Sequence, residues 1–133
     1  MTDPVALVDD LTGDQDYRGQ LVHLERLPAR PARLAEVPED LPEVVRSRLA
    51  ARGLTALWSH QAAAVALARA GRNVVVSTGT ASGKSLCYQL PVFDALLGDG
   101  HRTALYLSPT KALARDQLRA VRSFALAGIR ASA

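Results

Sequence analysis

The stretch from Asn73 to Ser85, NVVVSTGTASGKS, constrains the fold of this chain more than any other. Its three consecutive valines are β-branched and apolar, the pattern of a short buried strand. Small residues fill positions 78 to 83. Gly83-Lys84-Ser85 then opens GKSLCYQLPVFDALLGDG, whose spacing is helical and whose Pro91 marks an expected kink. TALYLS is again of buried-strand type. PTKALARDQLRAVRSFALAG is again helical, with Leu113, Leu118, Val121 and Ala125 on one stripe. Strand, helix, strand, helix in that order predicts an α/β fold, a parallel sheet with helices packed over it.

Two further helices are predicted ahead of this unit. LPEVVRSRLAARGL has Pro42 for its first turn, an apolar face of Val44, Val45 and Leu49, and Gly53 to end it. SHQAAAVALARAG has Ser59 as the expected N-cap and Gly71 as the stop. Residues 1–36 are expected to be irregular, because prolines at 28 and 31, followed by 38 and 42, favour extended chain.

The loop itself ends like a phosphate cradle and begins unlike one. The pattern G-x-x-x-x-G-K-[ST] asks for glycine where Thr78 stands, and Gly79 comes one place late. The other requirements are met. A cradle needs backbone N–H groups converging on anionic oxygens, a helix N-terminus behind them, a lysine for the terminal phosphates and a hydroxyl for Mg2+. Thr80, Ala81, Ser82 and Gly83 are small, Lys84 supplies the charge and Ser85 the hydroxyl. A βα turn that is merely rich in small residues would look similar. The setting between a strand and a helix favours the cradle.

Composition narrows the classes. The chain has 133 residues, enough for one domain, and 48% of them are hydrophobic. The formal net charge is +3, carried by fourteen arginines and two lysines, Lys84 and Lys111. That permits a nucleic-acid partner without demanding one. Cys87 is the single cysteine, so neither an intrachain disulfide nor a Cys-based metal site can form. His23, His60 and His101 are scattered. The acidic start MTDPVALVDDL lacks the basic and apolar parts of a signal peptide, and no apolar run reaches the ~18 residues of a membrane span. A cytoplasmic protein without membrane contact is expected.

Three motifs together carry a resemblance. LWSHQ ends in Gln61, twelve residues ahead of the valine strand; TGTASGKSLCYQLP holds the loop; LSPTKALARDQ follows the second strand. In order and spacing they resemble the superfamily-two ATP-dependent DNA and RNA helicases of DEAD/DEAH type. SLCYQLP is similar to the RecQ branch. GQLVHLERLPARPARLAEVPEDLP, LWSHQ and TGTASGKS are more similar to the YprA-like bacterial DNA helicases, whose loops commonly carry threonine at the position of Thr78. The resemblance implies a RecA-like ATP-binding domain beginning in residues 37–133, with ATP and Mg2+ as cofactors. It implies that Gln61 reads adenine. Thr78, Gly79, Thr80, Ala81, Ser82, Gly83, Lys84 and Ser85 would hold the phosphates, with Lys84 catalytic and Ser85 a Mg2+ ligand. Pro109, Thr110 and Lys111 would touch single-stranded nucleic acid, DNA rather than RNA, in a monomer. Trp58 would stack on the base or sit half in the core. Arg115, Arg119 and Arg122 share a helix face, read as solvated rather than as a nucleic-acid track.

The resemblance also implies parts that are not in the sequence. The family's acidic D-E-x-[HD] motif has no counterpart, since Asp-Glu occurs nowhere in the chain. Met1 reads as a natural start and the chain as the first quarter or less of a helicase, inactive by itself. The rival reading is a P-loop module that binds nucleotide without hydrolysing it. A small P-loop kinase fits less well, because neither Gln61 nor the P-T-K segment belongs to that class.

Overall fold

In the computed structural model, which describes residues 3–28 and 31–133, the chain divides into two units at Pro31/Ala32. Met1 and the Ala29–Arg30 stretch, included in the readings above, lie outside the described residues. The first unit departs from the expected irregular segment. Pro4–Gly13 form helix α1. Proline is tolerated at the start of a helix because its missing N–H would be unpaired there, and the Asp3 carboxylate accepts the Val5 N–H at 3.0 Å. The prolines at 28 and 31 lie well beyond it.

The second unit begins with an antiparallel pair, β1 (Leu34–Glu36) and β2 (Ala56–Trp58), in the register Leu34–Trp58, Ala35–Leu57 and Glu36–Ala56. Helix α2 (Glu43–Ala50) lies between them, and α3 (Ser59–Arg69) leaves β2 without a break. The cap of α3 is Trp58, one residue before the expected Ser59, because the chain is still extended there. Both helices end on a left-handed glycine. Gly53 (φ +73°) follows α2 and Gly71 (φ +69°) follows α3. In each case the next residue, Leu54 or Arg72, bonds back to the carbonyl five before it, Leu49 or Leu67, at 3.0 Å.

Helix α4 (Ser85–Gly98) runs through Pro91 as one element, and α5 (Lys111–Ser123) follows. Leu41, Val45, Leu49, Leu57, Val65, Leu90, Phe93, Phe124 and Leu126 make one core. Phe93 and Phe124 meet with ring centroids 4.8 Å apart, and the Arg52 guanidinium lies 3.7 Å over the Phe124 ring. Arg69, at the end of α3, ties the unit together. Its Nε donates to Asp94 of α4 at 2.7 Å, its Nη1 pairs with the Asp40 carboxylate and its Nη2 donates to the Asp40 carbonyl. The Arg69 hydrogen bond holds the Asp40 carboxyl below the usual carboxylate range.

The expected parallel sheet is not formed among the described residues. Residues 73–77 and 103–108 run between the helices without ladder partners, and the sheet present is the antiparallel β1–β2 pair. Strand-like alternation persists: Val75 is 94% exposed between half-buried Val74 and Val76, and Leu105 and Leu107 flank a more covered Tyr106. Alternate residues are exposed, so these segments are not buried on both sides as their apolar runs predict. Apolar runs select an extended backbone. A ladder also needs a neighbouring chain, which consecutive strands supply for each other only about two-thirds of the time.

Candidate nucleotide-binding site

The loop between Ser77 and Ser85 is built by its own short bonds. The Thr78 and Ser82 hydroxyls lie 2.6 Å apart, and Ser82 Oγ also donates to the Gly79 carbonyl at 2.9 Å. Lys84 Nζ reaches back across the loop and donates to the Thr78 carbonyl at 2.9 Å and the Gly79 carbonyl at 2.6 Å. Thr78, at the entry position, therefore shapes the loop with its hydroxyl, a function glycine could not serve. Ala81 (φ +57°) and Gly83 (φ +71°) both adopt the left-handed region. Among the described residues, no hydrogen bond is donated by the N–H groups of Thr80 to Ser85. They lie in the loop and at the N-terminus of α4, where the helix dipole favours an anion.

Helix α3 holds this loop from behind. Gln61 is 2% exposed. Its Oε1 accepts the Trp58 N–H at 2.9 Å, half of a capping box, and its Nε2 donates to the Gly83 carbonyl at 2.8 Å. His60 Nε2 lies 3.0 Å from the Ser82 carbonyl. The side chain predicted to read a base is thus first a brace of the loop, with one N–H and one lone pair of its amide still available. Trp58 is 43% exposed beside Gly83: a Cβ built on Gly83 would lie 3.9 Å from its Cδ1. In the sequence His60 is one of three scattered histidines. The available signal was its place next to Gln61 on the first turn of a helix followed by the loop.

Pro109, Thr110 and Lys111 are exposed at the start of α5. The Thr110 hydroxyl caps that helix, accepting the Leu113 N–H at 3.2 Å. Tyr88 of α4 donates to Gln117 of α5 at 2.5 Å and meets Tyr106 edge-on at 5.5 Å. These contacts set α5 against α4; neither Tyr88 nor Gln117 was singled out for such a role. Burial pushes the Tyr106 hydroxyl up to about 12. The Cys87 thiol is buried and raised by desolvation, which suits a core residue and not a nucleophile. On α5, Arg119 pairs with Asp116, and Arg122 donates to the Ala131 carbonyl at 2.8 Å, the arrangement of a solvated face. The described residues contain no cluster of three or more His, Cys, Asp or Glu side chains fit for a metal, and no helix long and apolar enough to cross a membrane.

A loop of undonated N–H groups at a helix N-terminus, spanned by a lysine and braced by a buried glutamine, has the form of a P-loop. Comparison with known proteins narrows the class. Residues 58–133 match the DEAD/DEAH box helicase family, and the chain belongs to it. It is 40% identical over 111 residues to the ATP-dependent helicase YprA of Bacillus subtilis (strain 168), covering 84% of this chain and 14% of that protein. It is 39% identical over 115 residues to the ATP-dependent helicase HRQ1 of Saccharomyces cerevisiae, covering 86% of this chain and 10% of that one. The resemblance to the YprA group read from the motifs is borne out. Among solved structures, the DUF1998 helicase MrfA bound to DNA and AMPPNP superposes with a TM-score of 0.78 at 35% identity, covering 93% of this chain and 17% of MrfA. The chain thus spans less than a fifth of the length of each of these relatives.

Proposed function

We propose that this chain supplies the ATP-binding loop of an ATP-dependent DNA helicase. The observation that carries the reading is the row of undonated N–H groups from Thr80 to Ser85, with Lys84 lying across them. These are the donors and the charge that a triphosphate requires. Lys84 would exchange the Thr78 and Gly79 carbonyls for the β and γ phosphates, a stronger, charge-assisted pairing. Thr78 and Gly79 would fix the loop entry. Ser85 would ligate Mg2+, and Gln61 would use its remaining N–H and lone pair at the adenine edge. Bound ATP would supply the phosphoryl group whose hydrolysis drives strand movement in the whole protein.

Pro109, Thr110 and Lys111 would meet single-stranded DNA. Exposed at the N-terminus of α5, they present a lysine and free helix N–H groups to a phosphate. DNA is preferred to RNA because MrfA was solved bound to DNA. We take the protein to act as a cytoplasmic monomer. Residues 37–133 would be the beginning of its RecA-like domain.

The 133-residue chain should bind nucleotide without turning it over. Hydrolysis relies on several positioned charges acting together, and the sequence holds no Asp-Glu pair to serve as the acidic motif. Phosphate release from MgATP, with and without single-stranded DNA, tests this. The expected rate is that of the buffer blank under both conditions. DNA-stimulated turnover that disappears in Lys84→Ala would show that the chain is a complete ATPase and overturn this part of the proposal.

A further inference from the structure

We infer that His60 is a positioning residue of the phosphate loop, one that sets the direction of the Gly83 N–H. The inference rests on the nucleotide-binding reading above and adds to it a residue outside the loop.

His60 Nε2 lies 3.0 Å from the Ser82 carbonyl oxygen. A carbonyl can only accept, so Nε2 carries the proton in this contact. The next residue of α3, Gln61, donates to the next carbonyl of the loop, that of Gly83, at 2.8 Å. All peptides of the described chain are trans. In a planar trans peptide the C=O and the N–H point in opposite directions. The Ser82 carbonyl shares its peptide with the Gly83 N–H, and the Gly83 carbonyl shares its peptide with the Lys84 N–H. Two adjacent side chains of α3 thus draw two successive carbonyls towards that helix. They thereby turn two successive N–H groups away from it, and neither N–H has an acceptor within the described chain.

Gln61 alone would leave the Ser82–Gly83 peptide free to rotate. The hydrogen bonds internal to the loop end on the Thr78 and Gly79 carbonyls, not on that of Ser82. Ala81, one residue earlier, sits at φ +57°, which alanine holds only under constraint. The Ser82 hydroxyl, held by Thr78 and the Gly79 carbonyl, brackets Ala81, and the His60 contact holds the peptide that follows Ser82. A flipped Ser82–Gly83 peptide would present an oxygen to the phosphates in place of a donor, so the anchor acts on affinity and not only on loop order.

The test is a titration of the 133-residue chain with a fluorescent N-methylanthraniloyl ATP and Mg2+, on wild type, His60→Phe, His60→Gln and Lys84→Ala. Losing one oriented donor should weaken binding by His60→Phe about three- to tenfold. His60→Gln keeps an N–H donor at similar reach and should recover most of the affinity, a rescue that a purely space-filling role would not give. Wild-type affinity in His60→Phe, with binding lost in Lys84→Ala, would overturn the role of His60 and leave the site standing. So would a His60→Gln variant no tighter than His60→Phe. Lys84→Ala binding as well as wild type, or no binding by wild type, would overturn the nucleotide reading and the inference with it. If His60→Phe does not fold, His60→Ala takes its place: a Gly83 amide shift on adding MgATP that is smaller than in wild type and restored in His60→Gln supports the role, and a wild-type shift in His60→Ala overturns it.

Discussion

Lys84→Ala is expected to lower the affinity for MgATP about ten- to hundredfold while leaving folding stability within about 0.5 kcal/mol of wild type. The two effects separate because of where the ammonium lies. In the structure it bonds to the Thr78 and Gly79 carbonyls in a loop open to solvent. When the lysine is removed, water replaces it on both carbonyls at little cost. Against a triphosphate the same group makes charge-assisted bonds, worth about 1.5–3 kcal/mol, that a neutral water does not match. Nucleotide titration and chemical denaturation of the same two proteins check both halves. A large loss of stability with affinity unchanged would make Lys84 a structural strut and remove it from the site.

Gly83→Ala should be the more damaging change, lowering stability by about 2–4 kcal/mol and affinity along with it. Two causes add. Gly83 has φ +71°, a region in which alanine is strained. A Cβ at this position would also lie 2.5 Å from Gln61 Nε2 and 3.8 Å from its Cδ, so the glutamine must leave its place. Gln61 is buried, and its displacement breaks the bonds to Trp58 and Gly83 together. Gly79→Ala is the control: Gly79 has an ordinary φ, and a Cβ there meets nothing within 4 Å. Denaturation curves should show Gly79→Ala near wild type and Gly83→Ala far below it. Equal curves would mean that the loop is not braced by α3.

The positions of the loop and of the helices on either side of it were readable from local chemistry. Gly53 and Gly71 announce the ends of α2 and α3, because a left-handed residue there lets the last carbonyls be capped. Small residues after the valines announce the loop. What depends on distant partners was not readable. Val75, Leu105 and Leu107 read as buried-strand residues, yet their pairing needs a neighbour that the sequence pattern does not name. Asp3 and Pro4 are both helix-start signals, but the prolines at 28, 31, 38 and 42 favour extended chain over the segment as a whole. Gln61 was read from its motif as a base reader, and nothing local says that its amide first braces Gly83. His60 carries no motif, and its use depends on a loop twenty-two residues away.

Amide NMR of the 133-residue chain during titration with Mg2+ and a non-hydrolysable ATP analogue tests the central claim most directly, because that claim concerns particular N–H groups. The loop reading predicts that the resonances of Ser82, Gly83, Lys84 and Ser85 move first and furthest, saturating together. Saturable binding whose shifts fall elsewhere, with Gly83 and Lys84 unmoved, would contradict it.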